Sequence, residues 1–370
     1  MQALVLVGGE GTRLQPLTLT QPKPAIPLVD RPFIRFMVDW LARHGFDEVV
    51  MACGFRAEDL RAALGDEIAG GPRIRYLEED EPLGTGGPIR LAADQGLLGD
   101  RFAVLNGDVL ADLDLTALQT AHAERGAVAT IAVHPVDDVS GYGLVRRAGT
   151  GDRDAKASEV LEFVEKPDPG EIDTDEISAG AYVLERSVLE LIPAGRPVSI
   201  EREVFPRLVE EGLWACRLDG YWMDIGTPER YLQASWDILE GAVETDLRPR
   251  LEGGLLVEDG AEVATTASLS VPALIAAGVE VATGASVGPR AILRPGCRVG
   301  SDALIHDSVL LGGCRVGDGA AVSGSILAAD VEVGEGATLG PGAVIGEGAS
   351  IAARAQLGED ARVAPAEVVA

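Results

Sequence analysis

"VEVGEGATLGPGAVIGEGASI" (residues 331–351) places a large aliphatic side chain at every sixth position, at Val333, Leu339, Ile345 and Ile351. A small residue follows four positions later, at Ala337, Ala343 and Ala349. A period of six matches neither the 3.6 of an α-helix nor the 2 of an ordinary strand. One aliphatic and one small residue per six is the pattern of a parallel β-helix. Each flat side uses six residues, and the aliphatic side chain stacks inside. Outward from this stretch, the period runs back through Leu311, Ile305, Val299, Leu293, Val287, Val281, Ile275, Leu269 and Val263 to Val257. The register slips by one between Leu311 and Val316, and again between Val322 and Leu327, then holds to Val363. Each coil buries its faces only against its neighbours, so the array folds as a whole.

Upstream, the charged run "AVETDLRPRLEGG" (242–254) reads as a linker, because it carries Pro249 and the pair Gly253–Gly254. Residues 1–241 then alternate strand-like and helix-like segments. "ALVLV" is a buried strand and "RPFIRFMVDWLARHG" an amphipathic helix, followed by the strand "DEVVMAC" and the helix "AEDLRAAL". "RIRYLEE" and "FAVLNGD" are further strands, separated by the helical "GPIRLAADQGLL". Such alternation implies a Rossmann-like α/β domain with a mixed, mostly parallel sheet, whose ligands sit outside the carboxyl ends of the strands. The expected organisation is a domain over 1–241, a linker over 242–254 and a left-handed parallel β-helix over 255–370.

Composition narrows the function. With 31 basic and 59 acidic residues, the net charge of −28 disfavours nucleic-acid and anionic-membrane partners. No apolar run is long enough to span a bilayer, and the opening run Ala3–Val7 is too short for a signal peptide, so none is expected. Cys53, Cys216, Cys297 and Cys314 lack metal-ligand spacing and read as reduced, packed thiols. The expectation is a soluble, cytoplasmic protein. Only Lys23, Lys156 and Lys166 are lysines, against 28 arginines.

Several stretches carry groups suited to phosphate chemistry. Gly8-Gly9-Glu10-Gly11 follows the first strand and can offer backbone N–H groups to an anion, although it matches neither the P-loop nor the dinucleotide fingerprint. Arg13 adds a guanidinium on that turn, and Lys23 lies between Pro22 and Pro24, where the chain cannot be helical. Asp108 in "VLNGDV" and Asp224 in "GYWMDIGTPERY" are two carboxylates from distant segments, which suits a phosphate-bridging Mg²⁺. Each also reads as an ordinary turn or helix-entry aspartate. Glu165-Lys166-Pro167 braces a second lysine, Gly141 and Gly143 allow close backbone approach, and "ISAGAYVLE" offers Ser178 and Gly180. Residues 198–212 read as an amphipathic core helix. His306 is the one histidine in the repeats; as a general base there it would support acyl transfer.

"VGGEGTRLQPLT", "PKPAIPL", "EPLGTGGPI", "LNGDV", "GYGLV", "EFVEKP", "SAGAYVL", "SIEREVFP" and "GYWMDIGTPE" occur in the order of the nucleoside-diphosphate-sugar pyrophosphorylases. The chain most resembles the bacterial mannose-1-phosphate guanylyltransferase group with a C-terminal left-handed β-helix. The resemblance implies that an NTP and a sugar 1-phosphate give an NDP-sugar and pyrophosphate. It places Leu6, Gly8, Gly9, Gly11 and Gly84 on the nucleotide, with Arg13 and Lys23 on the departing phosphates. It gives Mg²⁺ to Asp108 and Asp224, the sugar phosphate to Lys166, and the sugar to Gly143, Glu165 and Ser178. Many relatives have asparagine where this chain has Ser178, which leaves the sugar, or a cyclitol, open. A carboxylate among Glu78–Glu81 favours guanine, with UTP, dTTP and ATP as alternatives. A non-catalytic regulatory paralogue would have lost some of Arg13, Lys23, Asp108, Lys166 or Asp224; all five are present. The terminal coil of the β-helix needs a cap or a partner, so a homo-oligomer is expected.

Overall fold

A computed structural model describes residues 1–54, 56–149, 156–251 and 253–370; Glu252, within the expected linker, lies outside them. The chain forms two compact units, residues 1–9 with 37–222 and residues 10–36 with 223–370.

The first unit is built on a nine-stranded sheet. Its strands are β1 (Gln2–Leu6), β2 (Glu48–Cys53), β3 (Arg73–Glu78), β4 (Arg101–Asn106), β5 (Ala129–Pro135), β6 (Gly143–Arg147), β7 (Ala157–Glu165), β8 (Glu176–Glu185) and β9 (Leu213–Arg217). The order is β3-β2-β1-β4-β8-β5-β9-β7-β6. Ala3, Leu4 and Val5 are fully buried, as a strand covered on both faces requires. β1 pairs in parallel with β2 and β4, so Leu6 lies opposite both Ala52 and Asn106. The other half of the sheet is largely antiparallel: β8 runs against β4 and β5, and β7 against β9 and β6. Parallel neighbours need a crossover, usually a helix. Residues 129–185 contain no α-helix among those described.

The second unit contains the repeat. It is a three-sided stack of parallel sheets with seven, seven and six strands. Successive coils are offset by 18 residues (Leu274 opposite Ile292), then by 17 (Ile292 opposite Val309, Val309 opposite Ile326), then again by 18 (Ile326 opposite Val344). The first short step lies one residue earlier than the sequence period suggests, because Leu293 pairs with Leu310 rather than Leu311. Ser308 explains the shift. Its hydroxyl donates to the His306 carbonyl at 2.7 Å and accepts the Ser325 N–H at 3.1 Å, closing the corner that has lost a residue.

The three outer faces differ. One presents Glu262, Glu280, Arg298, Arg315 and Glu332, and a second Ser268, Ser286, Leu304 and Thr338. The third presents Leu274, Ile292, Val309, Ile326 and Val344, every one buried. A helix, α1 (Pro228–Leu239), precedes the stack. Thr227 caps its N-terminus by accepting the Arg230 N–H, and Pro228 occupies its first turn.

Candidate active site

In the first unit the turns after β1 and β4 leave adjacent strands on the same edge. Gly8 has little room: a Cβ there would meet the Glu79 Oε1 at 3.3 Å and the Gly54 N at 3.4 Å. Gly9, by contrast, faces open space. Glu79 is therefore the carboxylate of the 78–81 run that lies against the glycine turn. Its Oε2 accepts the Leu83 N–H at 3.1 Å, and burial pushes its carboxyl above the usual range, with that N–H opposing. Gly84 adopts φ 74°, and a Cβ there would lie 2.5 Å from the Val198 carbonyl, so backbone packing alone requires glycine.

Asp108 follows Gly107 in the turn after β4. A Cβ on Gly107 would lie 2.4 Å from Val7 and 2.6 Å from the Leu6 carbonyl, so this turn is seated tightly on β1. On its other side Gly180, at φ 69°, leaves space for Asn106: a Cβ there would be 2.8 Å from the Asn106 Nδ2. Ser178 lies two residues back, its hydroxyl 3.4 Å from the Tyr182 hydroxyl and 3.5 Å from the Gly180 N.

Gly143 and Glu165 face each other across the β6–β7 ladder. A Cβ on Gly143 would lie 2.5 Å from the Phe163 ring and 3.1 Å from the Glu165 Oε2. Lys166 takes φ 54°, a left-handed conformation uncommon outside glycine, and its N–H donates to the Tyr142 carbonyl at 3.1 Å. Burial raises the Glu165 carboxyl above its ordinary value and the charge of Glu201 adds to the effect, with Lys166 and Arg202 opposing.

Glu201 was not singled out from the sequence. Residues 198–212 do not form the single core helix expected. Ile200–Val204 is a wide π-type turn, followed by one α turn, Phe205–Leu208. Ile200, Val204, Phe205 and Leu208 are buried. Glu201 accepts from the Thr85 hydroxyl at 2.6 Å and the Ser199 hydroxyl at 2.8 Å. A π-type turn marks functional segments often enough to be a signal, but it is not visible in apolar spacing. Asn106 was likewise missed; its Oδ1 is buried with no protein partner among the described residues.

In the second unit Gly11 adopts φ 64°, and a Cβ there would lie 3.0 Å from Thr18 and 3.1 Å from the Lys23 Cβ. The Thr18 hydroxyl donates to the Gly11 carbonyl at 3.0 Å. Lys23 is 9% exposed, its stem laid across the glycine. Arg13 and Asp224 converge on Gly226, where a Cβ would meet the Arg13 Nη2 at 2.9 Å and the Asp224 Oδ2 at 3.0 Å. Arg230 of α1 forms an ion pair with the Asp224 Oδ1. The motif W-x-D-I-G-T-P thus places a carboxylate, a glycine and a helix start around Arg13.

Among the described residues no group of three or more His, Cys, Asp or Glu gathers as a metal cage. Asp108 in the first unit and Asp224 in the second are each a carboxylate of the kind taken by an ion that keeps most of its waters and binds phosphate oxygens. No helix among the described residues is long and apolar enough to cross a membrane.

Residues 2–241 match the family described as nucleotidyl transferase, and residues 269–369 match the GMPPB C-terminal domain. The chain is 40% identical over 275 residues to a mannose-1-phosphate guanylyltransferase of Mycobacterium tuberculosis, covering 73% of each. It is also 40% identical to the probable mannose-1-phosphate guanylyltransferase 2 of Arabidopsis thaliana, over 71% of this chain and 73% of the relative. A solved UDP-glucose pyrophosphorylase, in complex with UDP-glucose, shares the fold, with a TM-score of 0.57, 22% identity and coverage of 65% of this chain and 98% of that one. The chain belongs to the nucleotidyl transferase family, enzymes that join an NTP to a sugar 1-phosphate as an NDP-sugar.

Proposed function

We propose that the protein transfers a guanylyl group from GTP to mannose 1-phosphate, releasing pyrophosphate and forming GDP-mannose. The observation that carries this choice is Glu79. Its carboxylate lies against the Gly8 turn, and two acceptor oxygens match the N1–H and N2–H₂ donors of guanine. The names of the relatives agree.

An oxygen of the sugar phosphate attacks the α-phosphorus in line. One P–O bond forms as the bond to the pyrophosphate breaks. Positioning and charge neutralisation supply most of the catalysis in such reactions. Leu6, Gly8, Gly9, Gly11 and Gly84 accommodate the nucleotide, while Arg13 and Lys23 neutralise the departing phosphates. Lys166 takes the sugar phosphate. Gly143, Glu165 and Ser178 orient the ring, with Glu201 as a second acceptor for hydroxyls. Enzymes of this family generally work with a divalent metal. Asp108 and Asp224 would hold Mg²⁺, which when bound neutralises phosphate charge. Residues 1–241 act as the catalytic part, 242–254 as the linker and 255–370 as the β-helix. Self-association runs through the β-helix, supported by its mixed-charge face of Glu280, Arg298, Arg315 and Glu332 side chains.

A matrix of GTP, UTP, dTTP and ATP against mannose 1-phosphate, glucose 1-phosphate and a cyclitol phosphate tests the assignment by pyrophosphate release. GTP with mannose 1-phosphate is expected to lead in kcat/KM by about tenfold or more. Glu79→Gln is expected to lower the preference for GTP by a similar factor, since the amide replaces one acceptor by a donor. Equal use of all four nucleotides, or an unchanged preference in Glu79→Gln, contradicts it.

A further inference from the structure

Residues 10–36 carry Arg13 and Lys23, yet they form one compact unit with residues 223–370, the half that contains the parallel stack. Within that unit four ties hold the bend just after Lys23. The Tyr231 hydroxyl donates to the Pro27 carbonyl. Arg31 grips Asp30 at 2.8 Å and reaches Asp246 at 2.7 Å. Arg250 spans Asp30 at 3.7 Å and Glu258 at 2.7 Å. Arg294, leaving the strand Ala291–Leu293 of the stack, donates to the Val29 carbonyl at 3.2 Å. Its charge also faces Tyr231, opposing the upward push of burial on the phenol.

The bend needs holding. Pro27–Leu28 pairs with Arg31–Pro32, so Val29 and Asp30 form a two-residue hairpin turn. Val29 is 1% exposed and takes φ 55°. Turns of this kind call for glycine there, and a β-branched residue with positive φ is an outlier. Such a conformation persists only where the surroundings over-determine it. From the hairpin the path to the phosphate groups is short. The Phe33 N–H bonds the Ile26 carbonyl at 2.9 Å, and the Ile26 N–H bonds the Lys23 carbonyl at 3.2 Å. Lys23 in turn packs over Gly11, two residues before Arg13 in the same turn.

We propose that Arg294 is a positioning residue: through the Val29 carbonyl it holds the strained hairpin 27–32, and so sets Lys23 and Arg13 for the departing pyrophosphate. The stack is then a working part of the phosphate site as well as a scaffold. The inference rests on the phosphate roles proposed for Lys23 and Arg13.

The test uses the full chain, with calorimetric binding of inorganic pyrophosphate and KM values for GTP and mannose 1-phosphate. Arg294→Ala is expected to weaken pyrophosphate binding and raise KM for GTP, each by about three- to tenfold, the worth of one hydrogen bond. KM for mannose 1-phosphate is expected to change less than about twofold. Arg294→Lys keeps a donor and recovers part of the loss; it carries the test if the alanine variant does not fold. Val29→Gly removes the strain, so Val29→Gly/Arg294→Ala is expected to return to within about twofold of the parent protein. Unchanged pyrophosphate affinity in Arg294→Ala, or a loss shared equally by both substrates, overturns the inference while normal turnover by the parent leaves the proposed function standing. Failure of the parent itself to bind or release pyrophosphate overturns the phosphate roles, and the inference with them.

Discussion

Replacing Gly180 by alanine tests whether the Asn106-Gly107-Asp108 turn is clamped between two strands. Gly180 sits at φ 69°, where an L side chain costs about 1–2 kcal/mol. The added methyl would also lie 2.8 Å from the Asn106 Nδ2 and 3.0 Å from its Cβ and Cγ. Asn106 cannot retreat as a unit with its turn, because Gly107 already lies close against Val7 and the Leu6 carbonyl on β1. Overpacking of this kind costs about 1–3 kcal/mol, which brings the sum to roughly 2–5 kcal/mol. A unit of this size loses about 2–4 °C of melting temperature per kcal/mol, so a fall of roughly 4–20 °C is expected. If part of the overlap is relieved by moving Asp108, turnover falls by about tenfold, since small misplacements at a reacting centre are costly. Calorimetric melting and pyrophosphate release measure both effects. A Gly180→Ala protein that melts within about a degree of the parent and keeps full turnover refutes the clamp.

Asp108→Asn and Asp224→Asn are each expected to lower Mg²⁺-dependent turnover by about two orders of magnitude or more with the fold retained; near-normal pyrophosphate release by either removes it from the metal assignment. The Glu165 carboxyl is held above its ordinary value, chiefly by burial, so it loses its charge at a higher pH than an exposed glutamate. KM for the sugar phosphate is therefore expected to rise as pH falls through that raised value, and Glu165→Gln to flatten the profile; the same slope in both proteins excludes Glu165 as the titrating group. Glu176 is buried between Arg147, which grips it at 2.6 and 2.7 Å, and Arg217 at 3.0 Å. Although burial opposes them, these arginines lower its pKa in the folded chain. The stability it contributes is thus present above its unfolded pKa and lost as pH falls through the lowered folded value. Glu176→Gln, which leaves Arg147 without its charge partner, is expected to cost about 3–5 kcal/mol at neutral pH by urea denaturation; a cost below about 1 kcal/mol shows that the triad is not the anchor of this sheet edge.

Much of this was legible because the two halves obey different periods. The six-residue repeat needs only one aliphatic stacked per side, and nothing in tertiary context competes with it. The parallel strands β1, β2 and β4 were legible for a related reason, since strands covered on both faces carry long apolar runs; the edge strand β3 mixes arginines with apolar residues. The buried face of the stack carried a signal that the six-residue period alone does not use. As far as Ile345, every third repeat has two adjacent aliphatics, as in Leu274-Ile275, Ile292-Leu293, Ile326-Leu327 and Val344-Ile345. Most intervening repeats put a polar residue before the aliphatic, as in Glu280-Val281, Arg298-Val299 and Ser286-Val287, with Leu304 and Ala321 as exceptions. The outward member of each pair is buried, so that face is covered. Glu201 was not legible, because its helical period is broken by the π-type turn that turns it toward Thr85. Nor was the tie from Arg294 to Val29, which joins residues far apart in the chain through a backbone carbonyl. No side-chain pattern records such a bond.

The lysines show how backbone context separates a working group from a surface charge. In a chain that uses arginine almost everywhere, Lys23 and Lys166 stand where the backbone is constrained by more than its own preference. Lys23 lies between two prolines, 9% exposed, with its stem across Gly11. Lys166 adopts φ 54° immediately before Pro167, a residue that already narrows the choices of its predecessor. Lys156, exposed as Lys166 is, is the internal control: it lacks positive φ, and its carbonyl accepts the Arg217 N–H at 2.7 Å. The ammonium is a compact point charge that can follow an oxygen as its bonds change, which a planar guanidinium fork does less well. Two of the three lysines therefore occupy constrained backbone settings, and those are the two proposed for phosphates, Lys23 for the departing pyrophosphate and Lys166 for the sugar phosphate.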